Sequence, residues 1–511
     1  MNRFLLVLIV LLSLGTFQTN HGQSYDTAIQ ALNNIFEGHD LMGISIVVVA
    51  DKMPIFEYYN GYKNYDEQLE VDERTAYRIA SISKNITALC AMKLVEEGLV
   101  NLDEDINNHL PFHVINPTFP NDSITLRMLL SHRSSIIDGP TYSSFLGATY
   151  SSSTPPSLAE LLEPEGDFYH AQTFNQIQPG TYFNYSNLNY GLVATVLEAV
   201  SGMRFDLLCH DYIFDPLSIN GGFHPAYIDD ITDLSILYRK VGGEWIPQND
   251  MYDPASPPVI AISHEYVPGT NGLYFAPQGG TRLSALDLAK IMMTHQNNGL
   301  STYGDFSLDA GLQNEMESMH WQYNGQNGNN YWDLFNAWGL GTHITTDLEG
   351  GDNVIRDLIM YGHPGEAYGL VSGMYYEKEE NLGIIYIING NGSGYSIGSE
   401  SAFYTVEREI FDALGEHVID EWRVLSSVAD DREALTPITI FPNPTDGQVH
   451  IQMEWSGQEQ YRLVDKSGRT IDAGIVENAY IDVSSIVPGS YILNIVDGDN
   501  KVRATSHLIK N

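Results

Sequence analysis

Apolar positions first run together from Phe4 to Leu12 and on to Leu14, after a single cation, Arg3, and before polar Gln18-Thr19-Asn20. That run is about half the roughly 20 residues a membrane span needs, so residues 1–23 read as a signal peptide rather than an anchor. Ile29, Leu32, Ile35 and Phe36 then recur at helical spacing. Gly43 to Ala50 and Pro54 to Tyr59 read as two strands of a hairpin joined by Asp51-Lys52-Met53. A helix opens at Ser81, and a second, apolar one runs from Leu192 to Val200. Val354 to Tyr361, Gly369 to Tyr376 and Leu382 to Ile388 read as three further strands, followed by a helix from Ser401 to Leu414. Strands at both ends, with helices and loops between, predict an α+β domain: an antiparallel sheet flanked by helices and completed by both chain ends, with a mainly helical insertion.

The pattern changes after Asp430-Asp431-Arg432-Glu433. Two prolines and a glycine in Phe441-Pro442-Asn443-Pro444-Thr445-Asp446-Gly447 stop regular structure. Short alternating segments follow at Val449 to Met453, Tyr461 to Val464, Tyr480 to Val483 and Ser490 to Val496, which predict a small all-β C-terminal domain. The expected boundaries are a signal peptide at 1–23, a large domain at 24–425, a linker at 426–435 and the β-domain at 436–511. No internal repeat is found.

Composition narrows the partners. With 43% hydrophobic residues the chain can build real cores, and 65 Asp and Glu against 25 Lys and Arg give a formal charge of −40. Attraction to nucleic acid or an anionic membrane is disfavoured. The C-terminal segment from Thr436 carries only −3, so the acidity belongs to the large domain. Cys90 and Cys209, the two cysteines, rule out a disulfide framework or a Cys₄ zinc site but leave one bridge open. Cys209-His210-Asp211 has metal-capable groups, yet neighbours on a helix point in different directions, so neither a metal nor an organic cofactor is expected.

Three stretches carry chemistry. In Arg78-Ile79-Ala80-Ser81-Ile82-Ser83-Lys84, Ser81 and Lys84 lie three apart at a helix start and so share a face. A buried lysine loses its proton more readily than one in water, and a helix N-terminus offers N–H groups to an oxyanion. In Tyr182-Phe183-Asn184-Tyr185-Ser186-Asn187, a phenol can relay a proton and an amide can orient lysine or substrate. Tyr185 with Asn187 and Tyr182 with Asn184 share one spacing, as do Tyr58 with Asn60 and Tyr62 with Asn64, and spacing alone does not choose between them. In Tyr361-Gly362-His363-Pro364-Gly365-Glu366, the glycines let a substrate lie against a strand edge, and His363 offers a polar group to a carboxylate or carbonyl.

In this order, the three stretches resemble the signatures of the serine β-lactamase and penicillin-binding superfamily, in particular the class C β-lactamase-related group that contains D-Ala-D-Ala carboxypeptidases, D-aminopeptidases and esterases. Ile124 to His132, Gly279 to Ala289 and Trp338-Gly339-Leu340-Gly341 agree with it. The resemblance implies a serine β-lactamase-like fold, Ser81 as nucleophile, Lys84 and Tyr185 sharing the base and relay role, and Asn187, His363 and Gly365 contacting substrate. It implies an oxyanion hole from the backbone N–H groups of Ser81 and Glu366. The reaction would be hydrolysis of an amide or ester through an acyl-enzyme, most readily as a peptidase on small D-amino-acid-containing peptides. An esterase, a β-lactamase or a non-catalytic peptidoglycan- or peptide-binding module are the alternatives. The chain departs from the pattern in having His363 where β-lactamases carry lysine, and His132-Arg133-Ser134-Ser135 where relatives carry His-Thr-Ser-Gly. Glu366, which replaces a small residue beside the acyl site, is expected to point to solvent, the alternative being that its carboxylate favours a substrate ammonium group. The last 75 or so residues resemble the type IX secretion C-terminal sorting domain of Bacteroidetes, through Phe441 to Gly447, Val487-Pro488-Gly489-Ser490-Tyr491 and Leu508-Ile509-Lys510. That implies the type IX machinery as a partner and a secreted or cell-surface location.

Overall fold

The computed structural model describes residues 20–248, 260–424 and most of 438–510. Residues 1–19 of the expected signal peptide and the expected linker at 426–435 lie outside the described residues. Asn20 onward forms the first turn of a helix, Asn20–Gly38. The chain divides into two compact units, one spanning Leu32–Asp412 and the other containing the C-terminal strands.

The large unit is built on a nine-stranded antiparallel sheet. Its spatial order runs Leu69–Glu70, Met53–Asn64, Gly43–Ala50, Gly383–Ile388, Leu370–Tyr376, Tyr361–Ala367, His343–Ile344, Ala337–Trp338, Trp321–Gln322. The first long strand therefore pairs with the last, in the register Ile44↔Ile388 to Val49↔Gly383, and the two ends of the domain close one sheet as the pattern predicts. Gly43–Ala50, Leu370–Tyr376 and Gly383–Ile388 are buried along their whole length. Helix Ala285–Gln296 packs on these three strands, and on Tyr386 the Phe411 ring of helix Thr405–Leu414 lies 5.4 Å away. A strand covered on both faces has no polar side to show, which is why these segments read as continuous apolar runs rather than alternations.

The first hairpin turns on Asp51 and Lys52 with φ of +50° and +62°, a two-residue turn that places Met53 in the second strand. At the N-terminal helix, Leu32 and Ile35 are buried but Ile29 is 39% exposed; Ala28 takes its place on the buried face. Val354 to Tyr361 is corrected: Val354, Ile355 and Met360 are buried, but in irregular chain, and the strand is Tyr361–Ala367. The terminal helix starts at Thr405 rather than Ser401.

The C-terminal unit holds two small sheets, Thr439–Phe441, Gln448–Gln452 and Tyr480–Asp482 in one, Thr470–Ile475, Gln460–Val464, Gly489–Val496 and Val502–Lys510 in the other. Val449, Ile451, Leu463, Leu493, Ile495 and Leu508 form its core. Among the described residues no helix is long and apolar enough to cross a membrane.

Candidate active site

Ser81 sits in a single 3₁₀ turn, Ala80–Ile82, that leads directly into the α-helix Ser83–Glu96. Ala80, just before it, has φ of +47°. A side chain there is strained, and such strain is kept where the surroundings hold a reactive group in place. The helix is buried from Ser83 to Met92, so Lys84 has no route to solvent along it.

Lys84 is fully buried. As an ammonium its Nζ donates to Ser81 Oγ at 3.0 Å, to Asn187 Oδ1 at 2.9 Å and to the Gln278 carbonyl at 2.7 Å, and it lies 4.8 Å from the Tyr185 ring centroid. Burial pulls its pKa down from the usual lysine range to about 7, against an opposing push from the Asp138 carboxylate. The three-residue spacing thus does bring amine and hydroxyl together, although Ser81 lies one turn ahead of the α-helix proper.

Among the overlapping Tyr and Asn pairs, Tyr185 and Asn187 are the ones that reach Ser81 and Lys84. The Tyr185 phenol hydrogen-bonds Ser81, and burial raises its pKa far above the ordinary value, so it stays protonated. The ring stacks on Phe335 at 5.4 Å and packs against His132 at 4.4 Å. Asn187 is the first residue of helix Asn187–Ser201. Asn184 instead meets the Tyr331 hydroxyl, and Tyr58 and Asn60 bond Asn33 at the hairpin.

The third stretch lies along the strand Tyr361–Ala367. A Cβ on Gly365 would come within 2.3 Å of Ser372 Oγ and 2.6 Å of the Ile79 carbonyl, so glycine is what lets this strand close on the Ser81 turn. Tyr368 and Gly369, with φ of +54° and +98°, connect Ala367 to its partner Leu370. In such a two-residue hairpin the closing pair is hydrogen-bonded and the next, Glu366 with Val371, is not. The Glu366 N–H therefore faces the other edge of the strand, away from Leu370–Tyr376. Its side chain is exposed, as expected, and accepts a hydrogen bond from Tyr404.

His363 departs from expectation. It is fully buried, with Nδ1 2.6 Å from the Pro364 carbonyl and its ring 5.3 Å from Trp338 and 6.0 Å from Tyr185. Burial and the nearby Lys84 hold its pKa well below the ordinary value. It is a neutral group in the wall, with no exposed atom to offer a substrate carboxylate.

The sequence model of the Beta-lactamase family matches residues 27–399. The chain belongs to that family. Residues 439–511 match the secretion system C-terminal sorting domain. Protein flp of Staphylococcus aureus strain MW2 is 28% identical over 197 residues, which is 39% of this chain and 37% of that protein. The chain therefore matches only about a third of that relative's length. Among solved structures, EstCE1, a hydrolase with promiscuous acyltransferase activity, is similar with a TM-score of 0.57 at 19% identity, over 77% of this chain and 99% of that one. The D-amino acid amidase of Ochrobactrum anthropi, complexed with D-phenylalanine, gives a TM-score of 0.54 at 20% identity, over 78% and 99%. These likenesses show a shared fold.

Within this Beta-lactamase family domain one residue escapes sequence reasoning. Asp138 lies in the loop after the altered His132-Arg133-Ser134-Ser135, and its carboxylate accepts from Ser186 Oγ at 2.9 Å, Asn187 N at 3.1 Å, Asn187 Nδ2 at 2.9 Å and Leu188 N at 2.9 Å. It thereby caps the helix that carries Asn187. A partner 49 residues away in sequence leaves no spacing signal. His132 supports the same region: it adopts φ of +54°, and its Nδ1 accepts from Ser186 N at 3.1 Å. Elsewhere, His210, Asp211 and Asp215 bring ligand-capable atoms within 4.8 Å of one another. Cys209 is buried and unbridged, as is Cys90.

Proposed function

We propose that this chain is an exported serine hydrolase that cleaves a small amide or ester through an acyl-enzyme on Ser81. The observation that carries the reading is the contact of Ser81 with a buried lysine whose pKa falls to about 7. Near neutral pH a substantial fraction of Lys84 is then an amine able to take the Ser81 proton. Tyr185, held as a phenol, is the donor in the relay.

In the proposed sequence, Ser81 Oγ attacks the substrate carbonyl carbon as its proton passes to Lys84 Nζ. The negative charge that forms on the carbonyl oxygen is met by the N–H groups of Ser81 and Glu366, each hole donor being worth about two to three powers of ten in rate. The tetrahedral intermediate collapses, the C–N or C–O bond breaks, and the leaving group takes a proton from the Lys84 and Tyr185 relay. Water, deprotonated by Lys84, attacks the acyl ester; Ser81 leaves with a proton, and the acid product departs.

Charge narrows the substrate class. Lys84 spends its bonds inside the site, His363 is neutral and buried, and the Asp138 and Glu366 carboxylates are close enough to act on Tyr185. A carboxylate next to the scissile bond, as in penicillins or a free D-Ala-D-Ala end, meets a neutral His363 where β-lactamases carry lysine. Small peptides or amides carrying an amine, including those of D-amino acids, and neutral esters suit the site better. The C-terminal sorting domain supports a route through the type IX machinery to the cell surface or beyond, with residues 1–23 as the signal for the first membrane.

The test is a panel of D-amino-acid amides, D-Ala-D-Ala peptides, short-chain aryl esters and a chromogenic cephalosporin, run beside a fluorophosphonate probe. Turnover of amides or esters with the probe's mass on Ser81 is the expected result. Fastest turnover of the cephalosporin would overturn the charge argument, and absence of any adduct would leave a binding module.

A further inference from the structure

The three bonds of Lys84 Nζ carry a consequence for direction. A neutral amine has two hydrogens and one lone pair. Two of its three neighbours, Asn187 Oδ1 and the Gln278 carbonyl, are oxygens that can only accept. They take both hydrogens, and the lone pair is left facing Ser81 Oγ, 3.0 Å away. Lys84 is then aimed as a base at one atom.

That aim depends on which way the Asn187 amide is turned. A half-turn about its last bond would exchange Oδ1 for Nδ2, and an N–H donor facing Lys84 would compete with Ser81 for the lone pair. Nothing in an asparagine prefers one face; the choice comes from its other neighbour. Here that neighbour is Asp138, whose Oδ2 accepts from both the backbone N and the Nδ2 of Asn187, at 3.1 and 2.9 Å. A carboxylate offers no hydrogen, so it fixes the amide nitrogen on its own side.

We propose that Asp138 is the positioning residue of this site, holding the Asn187 amide with its oxygen toward Lys84 and so aiming the lysine lone pair at Ser81. The inference rests on the proposed role of Lys84 as base. Asp138 has a second, electrostatic effect. The titratable groups facing Lys84 are His132 and His363, both held neutral, Tyr185 and Tyr190, both held protonated, and Asp138. Asp138 is the charge among them, and it favours the ammonium form.

Asp138→Asn therefore has two opposed effects, because the new amide can donate as well as accept. The plateau rate of fluorophosphonate labelling at high pH falls, by roughly tenfold or more, as the Asn187 amide loses its fixed orientation. The midpoint of the labelling profile moves to lower pH, by roughly half a unit, because an ammonium without its carboxylate deprotonates sooner. The midpoint shift reports the lost charge, and the fall of the plateau reports the lost orientation. A double-mutant cycle completes the test: because Asp138 acts through Asn187, Asp138→Asn slows labelling much less in an Asn187→Ala background than in the wild-type background. An unchanged plateau rate, or full additivity with Asn187→Ala, overturns the proposal while wild-type labelling at Ser81 leaves the base reading standing. If wild-type protein carries no adduct on Ser81, or Lys84→Met labels at the wild-type rate, the base reading itself fails and the positioning role goes with it.

Discussion

Replacing Lys84 with methionine probes the buried lysine through stability as well as rate. The folded pKa of about 7 stands against an ordinary value of 10.5, so between those two pH values the unfolded chain binds a proton that the folded chain does not. For a base with a depressed folded pKa the sign is that folding is penalised at low pH and the penalty fades as pH rises. By that relation the penalty is about 4 kcal/mol at pH 7 and roughly 2 kcal/mol at pH 9, so the wild type gains about 2 kcal/mol across this interval from Lys84 alone. Methionine has similar length and no charge, and lacks this term. Urea unfolding of the full chain at pH 7, 8 and 9, followed by tryptophan fluorescence in wild type and Lys84→Met, isolates it. Taking the difference between the proteins cancels every other titrating group, and following how that difference changes with pH removes the pH-independent cost of the three lost hydrogen bonds. The expected result is a difference that shrinks or reverses in favour of wild type by about 2 kcal/mol from pH 7 to pH 9. Parallel pH profiles for the two proteins would mean that Lys84 keeps its proton in the fold, and the assignment of a neutral amine base would be refuted.

Ser81→Ala is expected to remove the covalent adduct while leaving the melting temperature within a few degrees of wild type, since a half-buried hydroxyl in a 3₁₀ turn adds little packing; mass spectrometry and a thermal scan check both. Wild-type labelling should rise about tenfold per pH unit below pH 7 and level off above it, following the neutral fraction of Lys84, as stopped-time labelling across pH 5 to 9 will report. Tyr185→Phe should cost several powers of ten in labelling at every pH without moving that midpoint, because the phenol does not titrate in this range. Removing residues from Thr436 onward should leave hydrolysis by purified protein intact and stop delivery outside the native cell; loss of activity with a folded large domain would make the tail a substrate-binding part.

The elements read well from sequence are those whose local signal and tertiary role agree. Gly43 to Ala50 is apolar but for Ser45, whose hydroxyl meets that of Tyr77, because both of its faces are covered, and Asp51-Lys52 suits a turn with two positive φ values. Val354 to Met360 shows the opposite case: a partly apolar run satisfies burial in irregular chain as well as in a strand, and the pattern cannot tell the two apart. The true strand, Tyr361 to Ala367, contains two glycines, a proline and a glutamate, all poor strand formers. It is held in the sheet by its register with Leu370–Tyr376 and by the Gly365 contact with the Ser81 turn. In the C-terminal unit, Thr470–Ile475 is a strand whose alternation is weak, with Asp472 and Gly474 interrupting it, so its pattern alone does not separate a strand from a loop.

Residue types in the site were legible, whereas their protonation states were not, because a pKa is set by burial from many directions and burial is a property of the finished fold. The spacing of Ser81 and Lys84 follows from one turn of chain, so local geometry suffices to pair them. The depression of the Lys84 pKa needs the helix buried on every side, with Asn187 and Gln278 arriving from segments more than 100 and 190 residues away to take its hydrogens. His363 makes the same point in reverse: its place in the third stretch suggested a ligand for carboxylates, and burial against Trp338 and Tyr185 left it a neutral part of the wall. The same burial lowers the Lys84 pKa to about 7, so that a substantial fraction of it is a neutral amine near neutral pH, within 3.0 Å of the Ser81 hydroxyl. The base and the substrate preference proposed for this chain then have one physical origin, the burial that lowers the pKa of both Lys84 and His363.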